Sequence, residues 1–162
     1  VLNKALRAPP QRRYADICRV AAPLADREPS HRDPTTPPHQ DAHYLRTPDP
    51  HFLISWIPLV EVPLELGPLA LLVGSPARGL IPHVYRERSD AHEASLAVED
   101  REQCWATGAL RRGDVLIFTA LTVHRSLPNR SRDAFRLSID LRWSAEPAAD
   151  SQLEAVLNDH GI

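Results

Sequence analysis

An all-β core with minor helices, a sandwich or barrel of the jelly-roll type, is what this sequence predicts. Three observations carry that expectation. The chain places 16 prolines and 6 glycines as punctuation between apolar runs of strand length. Those runs are rich in β-branched and aromatic residues or alternate in polarity, as strands do. Convincing helical periodicity is scarce.

The elements follow in order. "YADICRVAAPL" (14–24) reads as a strand, and "REPSHRDPTTPP" (27–38) as a turn-rich loop. "HQDAHYL" reads as a short strand, and "HFLISWIPLVEV" (51–62) is the strongest strand of the chain. "ELGPLALLVGSPARG" reads as turn, strand, turn. Residues 83–104 are polar, with a short helix expected near 90–100. "RRGDVLIFTALTVHRS" begins with a Gly113-Asp114 turn and continues as one or two strands. "NRSRD" is a turn, and "AFRLSIDLRWS" an alternating strand. The tail "DSQLEAVLNDHG" has the pattern of a short amphipathic helix, with Asp150 or Ser151 as its cap and Gly161 as its end.

Composition narrows the function. At 162 residues with 43% hydrophobic residues, the chain suits one domain with a real core and is not a disordered segment. No apolar run approaches the roughly 20 residues that span a bilayer, and the start lacks the apolar stretch of a signal peptide. A cytoplasmic protein without a membrane partner is the simplest expectation. The sequence has no methionine, even at position 1, as a trimmed or partial chain would. The net charge of −2 and the scattered arginines argue against a nucleic-acid partner. Cys18 and Cys104 form no CxxC pair and read as two buried or idle thiols rather than a disulfide framework.

The chemistry concentrates in "TTPPHQDAHYL". His39, Asp41 and His43 alternate, so a strand would turn all three to one face. A metal site, a general-base cluster and a polar loop are the competing readings. One imidazole and one carboxylate are two thirds of a facial 2-His-1-carboxylate site, which holds Fe(II) and leaves positions open. "LTVHRS" offers a third ligand, His124, from a distant strand. Twelve residues further, "FRLSID" sets Arg136 and Ser138 on one strand face. A guanidinium beside a hydroxyl is a good receptor for a carboxylate, here one end of a dicarboxylate cosubstrate.

This ordered set, HxD, a distant His, then Arg-x-Ser on the next strand, resembles the Fe(II)/2-oxoglutarate-dependent dioxygenases, and among them the phytanoyl-CoA dioxygenase family. The stretches "HQDAHYL", "SWIPLVEVPLELGPLALLVGS", "RRGDVLIFTALTVHRSLPNRS" and "FRLSIDLRW" carry the resemblance, over about residues 14–143. It implies a double-stranded β-helix, cupin-like in shape, spanning 1–162 as a single dioxygenase-like domain. It implies Fe(II) on His39, Asp41 and His124 as the metal and catalytic residues. It implies 2-oxoglutarate as cosubstrate, held by Arg136 with Ser138 and Ser126, and O2 as the oxidant. A small-molecule substrate would be hydroxylated, with release of succinate and CO2. The presence of Asp41 favours hydroxylation over halogenation, since halogenating relatives lack the carboxylate. Two features depart from the family. Only 38 residues precede His39, so part of the usual N-terminal region is expected to be missing. "GSPARG" also stands where many relatives have Gly-Ser-His.

Plainer readings stand beside these. His43 is expected to be an exposed bystander. Trp56 suits a pocket wall or the core equally. Arg136 could instead form a surface pair with Asp133 or Asp140. Arg130 is the rival anchor but sits in a turn composition that favours solvent. His51, His83, His92 and His160 have no recognisable partners and are expected at the surface. His31 and Arg32 precede the motif in a loop that could reach the pocket mouth. A cupin-type enzyme using another divalent metal and a non-catalytic binding module are the alternative functions. Substrate selection is expected from loops 25–38 and 77–106.

Overall fold

The computed structural model describes residues 9–23, 35–46, 51–88, 91–96 and 104–145. Among the described residues, nine strands make two facing sheets and a hairpin. Strands β1 (Gln11–Ala21), β9 (Arg136–Ser144), β2 (Leu53–Pro58) and β7 (Leu116–Thr119) lie side by side in that order in the larger sheet. Strands β6 (Trp105–Ala106), β3 (Leu69–Leu72) and β8 (His124–Ser126) form the smaller one. Strands β4 (Val84–Arg88) and β5 (Ala91–Ser95) pair as a hairpin.

Every pairing is antiparallel, and the pairs nest: β4 with β5, β3 with β6, β2 with β7. From β6 onward the chain alternates between the sheets, with β8 returning to β3 and β9 to β2. This winding is the double-stranded β-helix that the sequence predicts. Ile54, Trp56 and Phe118 from the larger sheet and Leu69 from the smaller one meet in one buried cluster. Trp56 is therefore a core residue, only 3% exposed.

Strand β9 has an inverted pattern. Its buried positions are Arg136, Ser138, Asp140, Arg142 and Ser144. Leu137, Ile139, Leu141 and Trp143 lie on the other face and are only half covered. Register explains the direction: Ser138, Asp140 and Arg142 stand opposite Pro58, Trp56 and Ile54, whose side chains point into the core. A strand that turns five polar residues inward has an interior that needs polar groups.

Gly67 fixes one end of this stripe. It closes the 3-10 turn Leu64–Leu66 with φ 70°, and its carbonyl accepts a hydrogen bond from Arg136 Nη1. A Cβ here would overlap the carbonyl oxygens of Leu127 and Pro128. Gly67→Ala should therefore destabilise the protein by more than the roughly 1–2 kcal/mol of a left-handed alanine alone. A denaturant melt measures this, and a loss below 1 kcal/mol would contradict the packing described here.

Most expected elements are present, with shorter bounds. The strand expected at 14–24 is β1, which starts earlier, at Gln11, and ends at Ala21, and the one expected at 51–62 shrinks to β2. The turn-strand-turn at 65–79 and the two strands after Gly113 are as expected. Two expectations fail. "HQDAHYL" is not a strand: His39 makes a single bridge and Asp41–Tyr44 form a one-turn helix, α1. Residues 91–95, expected to be helical, are β5, because pairing with β4 supplies the hydrogen bonds that a helix would make internally. The tail helix, His31, Arg32 and His160 lie outside the described residues.

Candidate metal centre

His39 and His124 face each other across an isolated antiparallel bridge. Each backbone N–H donates to the other's carbonyl, both at 3.0 Å. Directly opposed residues point to the same side, so the two rings meet with centroids 4.2 Å apart. A bond between residues 39 and 124 thus brings the distant histidine to the motif.

Both imidazoles are oriented by the same device. His39 Nδ1 bonds the Pro37 carbonyl at 2.8 Å, and His124 Nδ1 the Thr122 carbonyl at 3.0 Å. A carbonyl can only accept, so each Nδ1 carries a proton, and in the neutral ring it is Nε2 that presents the lone pair. Fixing the tautomer in this way is what metal-binding histidines require.

Asp41 completes the cluster from the first position of α1. Its Oδ1 lies 3.5 Å from His39 Nε2 and 3.6 Å from His124 Nε2. Helix α1 forms because Ala42 N–H donates to the Ala120 carbonyl and Leu45 N–H to the Asp41 carbonyl. An acidic residue in a first helical turn also suits the backbone dipoles there. His39 and Asp41 therefore converge through a bridge followed by a turn, not through strand alternation. His43 turns elsewhere and stacks on His83 with centroids 4.1 Å apart. It is a bystander to the cluster, half-buried rather than exposed.

Electrostatics suit a cation. Burial works to raise the Asp41 carboxyl, but the contacts with His39, His124 and Arg142 outweigh it and hold it below the usual carboxylate range. Arg142 brings a guanidinium to within 3.7 Å of Oδ2. Burial, then His39, lowers His124 to about 4 against the opposing pull of Asp41. At neutral pH Asp41 is an anion and His124 a neutral imidazole. His39, Asp41 and His124 place three ligand atoms within 4.8 Å of one another, a set that fits an iron site.

Two of the expected cosubstrate residues, Arg136 and Ser138, lie on the buried face of β9, the face that also carries Arg142; Ser126 lies on β8. Arg136 is 3% exposed, and burial lowers it to about 10, so it remains charged at neutral pH. Its Nε and the hydroxyl of fully buried Ser138 have no hydrogen-bond partner among the described residues. That burial takes Arg136 away from the surface; Asp140, which bonds Arg19 at 3.0 Å, is buried on the same strand and still acts on Arg136 through its charge. Ser126 is buried two positions after His124, and its hydroxyl is engaged with Thr36 Oγ1 at 2.9 Å. Arg130 is exposed.

Three residues escape the sequence reading. Gln40, between the two ligands, is fully buried. Its amide donates to the Gly79 and Leu121 carbonyls, and its Oε1 accepts from Ile81 N–H at 2.8 Å. It pins the motif to two loops. Gln40→Leu would strand two carbonyls and an N–H, at about 1–3 kcal/mol for each group left unpaired. A drop of at least about 2 kcal/mol in a urea melt is expected; a smaller loss would mean the network has little weight.

His83 is the second, and it is not the unpartnered surface residue expected. Its Nδ1 bonds the Ile81 carbonyl at 2.9 Å, so Nε2 accepts the Gln40 N–H at 3.0 Å. Burial first, then His43 and His39, lower it from 6.5 to about 4. The unfolded chain takes up this proton near 6.5, whereas the folded one resists it until about 4. Stability present above pH 6.5 should therefore fall as pH drops towards 4, with His124 adding to the slope. His83→Gln should flatten part of that fall in melting temperature; an unchanged profile would contradict the assignment. The third residue is Arg142.

The sequence profile of the phytanoyl-CoA dioxygenase family matches residues 24–138. The 1-deoxypentalenic acid 11-beta-hydroxylase of Streptomyces exfoliatus is 34% identical over 114 residues, which cover 66% of this chain. The matched region spans 40% of that relative's own length. Among solved structures, the epimerase SnoN in complex with Fe3+, alpha ketoglutarate and nogalamycin RO is 25% identical, with a TM-score of 0.59. That match covers 83% of this chain and 50% of SnoN. The non-heme monooxygenase ThoJ, 16% identical with a TM-score of 0.64, matches in fold over 99% of this chain and 66% of its own.

Proposed function

Because the chain belongs to the phytanoyl-CoA dioxygenase family, we propose that it carries the catalytic core of a non-heme Fe(II)/2-oxoglutarate-dependent oxygenase that hydroxylates a small molecule. One observation carries the reading. Two imidazole Nε2 atoms and a carboxylate oxygen, from segments far apart in sequence, converge with both Nδ1 atoms already engaged.

His39, Asp41 and His124 would hold the iron. When bound, iron supplies the activation of O2 that oxidises a substrate C–H bond to an alcohol while 2-oxoglutarate becomes succinate and CO2. The protein's own groups bind and orient. Arg136 would pair with the far carboxylate of 2-oxoglutarate through the face that now lacks a partner, with the Ser138 hydroxyl beside it. Ser126 stands close in sequence to His124 and would assist at the cost of its bond to Thr36. Phe118, whose ring is 4.8 Å from His124, helps keep water from the metal side, where a dry site strengthens charge interactions.

The hydroxylase named above supports hydroxylation as the reaction. The test is cosubstrate turnover. Purified protein given Fe(II), 2-oxoglutarate and O2 should release succinate, and faster with its own substrate. A folded, metal-binding chain that releases none would support a binding module instead.

A further inference from the structure

Given that the His39–Asp41–His124 cluster holds a divalent metal, we propose that Arg142 is a positioning residue that keeps Asp41 a one-oxygen ligand. The two oxygens of Asp41 have different neighbours. Oδ1 faces both imidazole Nε2 atoms, at 3.5 and 3.6 Å. Oδ2 faces Arg142 Nη2 at 3.7 Å. The guanidinium arrives from β9, a strand that contributes nothing to the cluster itself.

Arg142 is 6% exposed, and its Nε has no hydrogen-bond partner among the described residues. A buried cation requires an anion close by, and among the described residues Asp41 is the carboxylate within ion-pair distance, with the charge of Asp140 further off on the same strand. Opposite Arg142 on β2 stands Ile54, part of the apolar cluster that also contains Phe118. Apolar packing on that side limits where the guanidinium can go.

The two arginines of this strand face thus divide the work. Arg136 hydrogen-bonds a backbone carbonyl and feels the charge of Asp140, but among the described residues its Nε has no acceptor, which leaves a donor for an incoming anion. Arg142 already holds a carboxylate oxygen and has less to offer a ligand. If Oδ2 were free it could join Oδ1 on the metal and close a position that cosubstrate or O2 needs. Partners that orient metal-bound carboxylates commonly change affinity or activity 10–100-fold when removed.

The experiment uses Co(II) as the metal probe, in anaerobic buffer, with the wild type and two variants. Arg142→Met keeps the apolar stem and removes the cation. It should bind Co(II) no more weakly than the wild type, since a repelling charge is gone and a second oxygen is free. Its visible spectrum with metal alone should differ. Its affinity for 2-oxoglutarate should fall about tenfold or more. Arg142→Lys should restore the spectrum and most of the affinity. An unchanged spectrum with unchanged 2-oxoglutarate affinity overturns the proposal. So does parallel loss of Co(II) and 2-oxoglutarate binding with a lower melting temperature, which marks a merely structural role. If Arg142→Met does not fold, Arg142→Gln is measured against the same criteria. A wild type that binds no Co(II) refutes the metal centre itself, a different failure from a Co(II)-binding wild type matched by Arg142→Met.

Discussion

Asp41→Ala should abolish divalent metal binding, a loss of at least about a hundredfold in affinity. The carboxylate is the only anion of the triad, and two imidazoles alone hold a divalent cation weakly. The apo protein should also lose stability, because Arg142 would keep its buried charge without Asp41. Asp41→Asn separates these effects by keeping the shape of the side chain. It should melt closer to the wild type and still bind metal poorly. His39→Ala and His124→Ala should lose metal as well. His43→Ala should not, since its ring lies against His83 and outside the cluster. Titration with Mn(II), read as the disappearance of the free-ion signal, checks all five variants. Retention of wild-type affinity in Asp41→Ala would exclude it as a ligand.

Arg136→Ala should weaken 2-oxoglutarate binding by about a hundredfold and leave metal affinity within about twofold. The magnitude follows from the cost of leaving a buried carboxylate without its cation, typically 2–5 kcal/mol. Burial excludes the water that would otherwise screen the pair, and among the described residues the Arg136 Nε and the Ser138 hydroxyl are donors without an acceptor. Arg130→Ala, at the exposed rival position, should bind 2-oxoglutarate normally. Arg136→Lys should recover part of the affinity, since a lysine keeps the charge but not the planar fork. Isothermal titration of metal-loaded protein with 2-oxoglutarate measures each case. If Arg136→Ala binds normally, the anchor lies elsewhere.

The sequence makes the candidate metal site legible through residue type and order, less through local geometry. Alternation in "AFRLSIDLRWS" identifies β9 and sets Arg136 and Ser138 on one face, as found. The same alternation misleads at "HQDAHYL", where His39 and Asp41 converge through a bridge and a helical turn. Spacing of two residues brings side chains together in either geometry. The tertiary bond from Ala42 N–H to Ala120, invisible in the sequence, decides between them. Gln40 and His83 are hidden for a related reason. A strand reading turns Gln40 away from His39 and towards solvent, whereas the fold buries its amide between residues 79–81 and Leu121. Arg142 was within reach. It shares the inward parity of Arg136 and Ser138, and a second buried arginine implies a second anion.

The central claim is that a 2-His-1-carboxylate centre and a buried arginine together bind iron and 2-oxoglutarate. An anaerobic titration of the purified chain with Fe(II) and then 2-oxoglutarate tests it most directly, by the weak visible charge-transfer band of the chelate. The account predicts a band in the wild type that is lost in Asp41→Ala for want of metal and in Arg136→Ala for want of cosubstrate at the same concentrations. A folded protein that binds Fe(II) tightly yet develops no band as 2-oxoglutarate is added would contradict it.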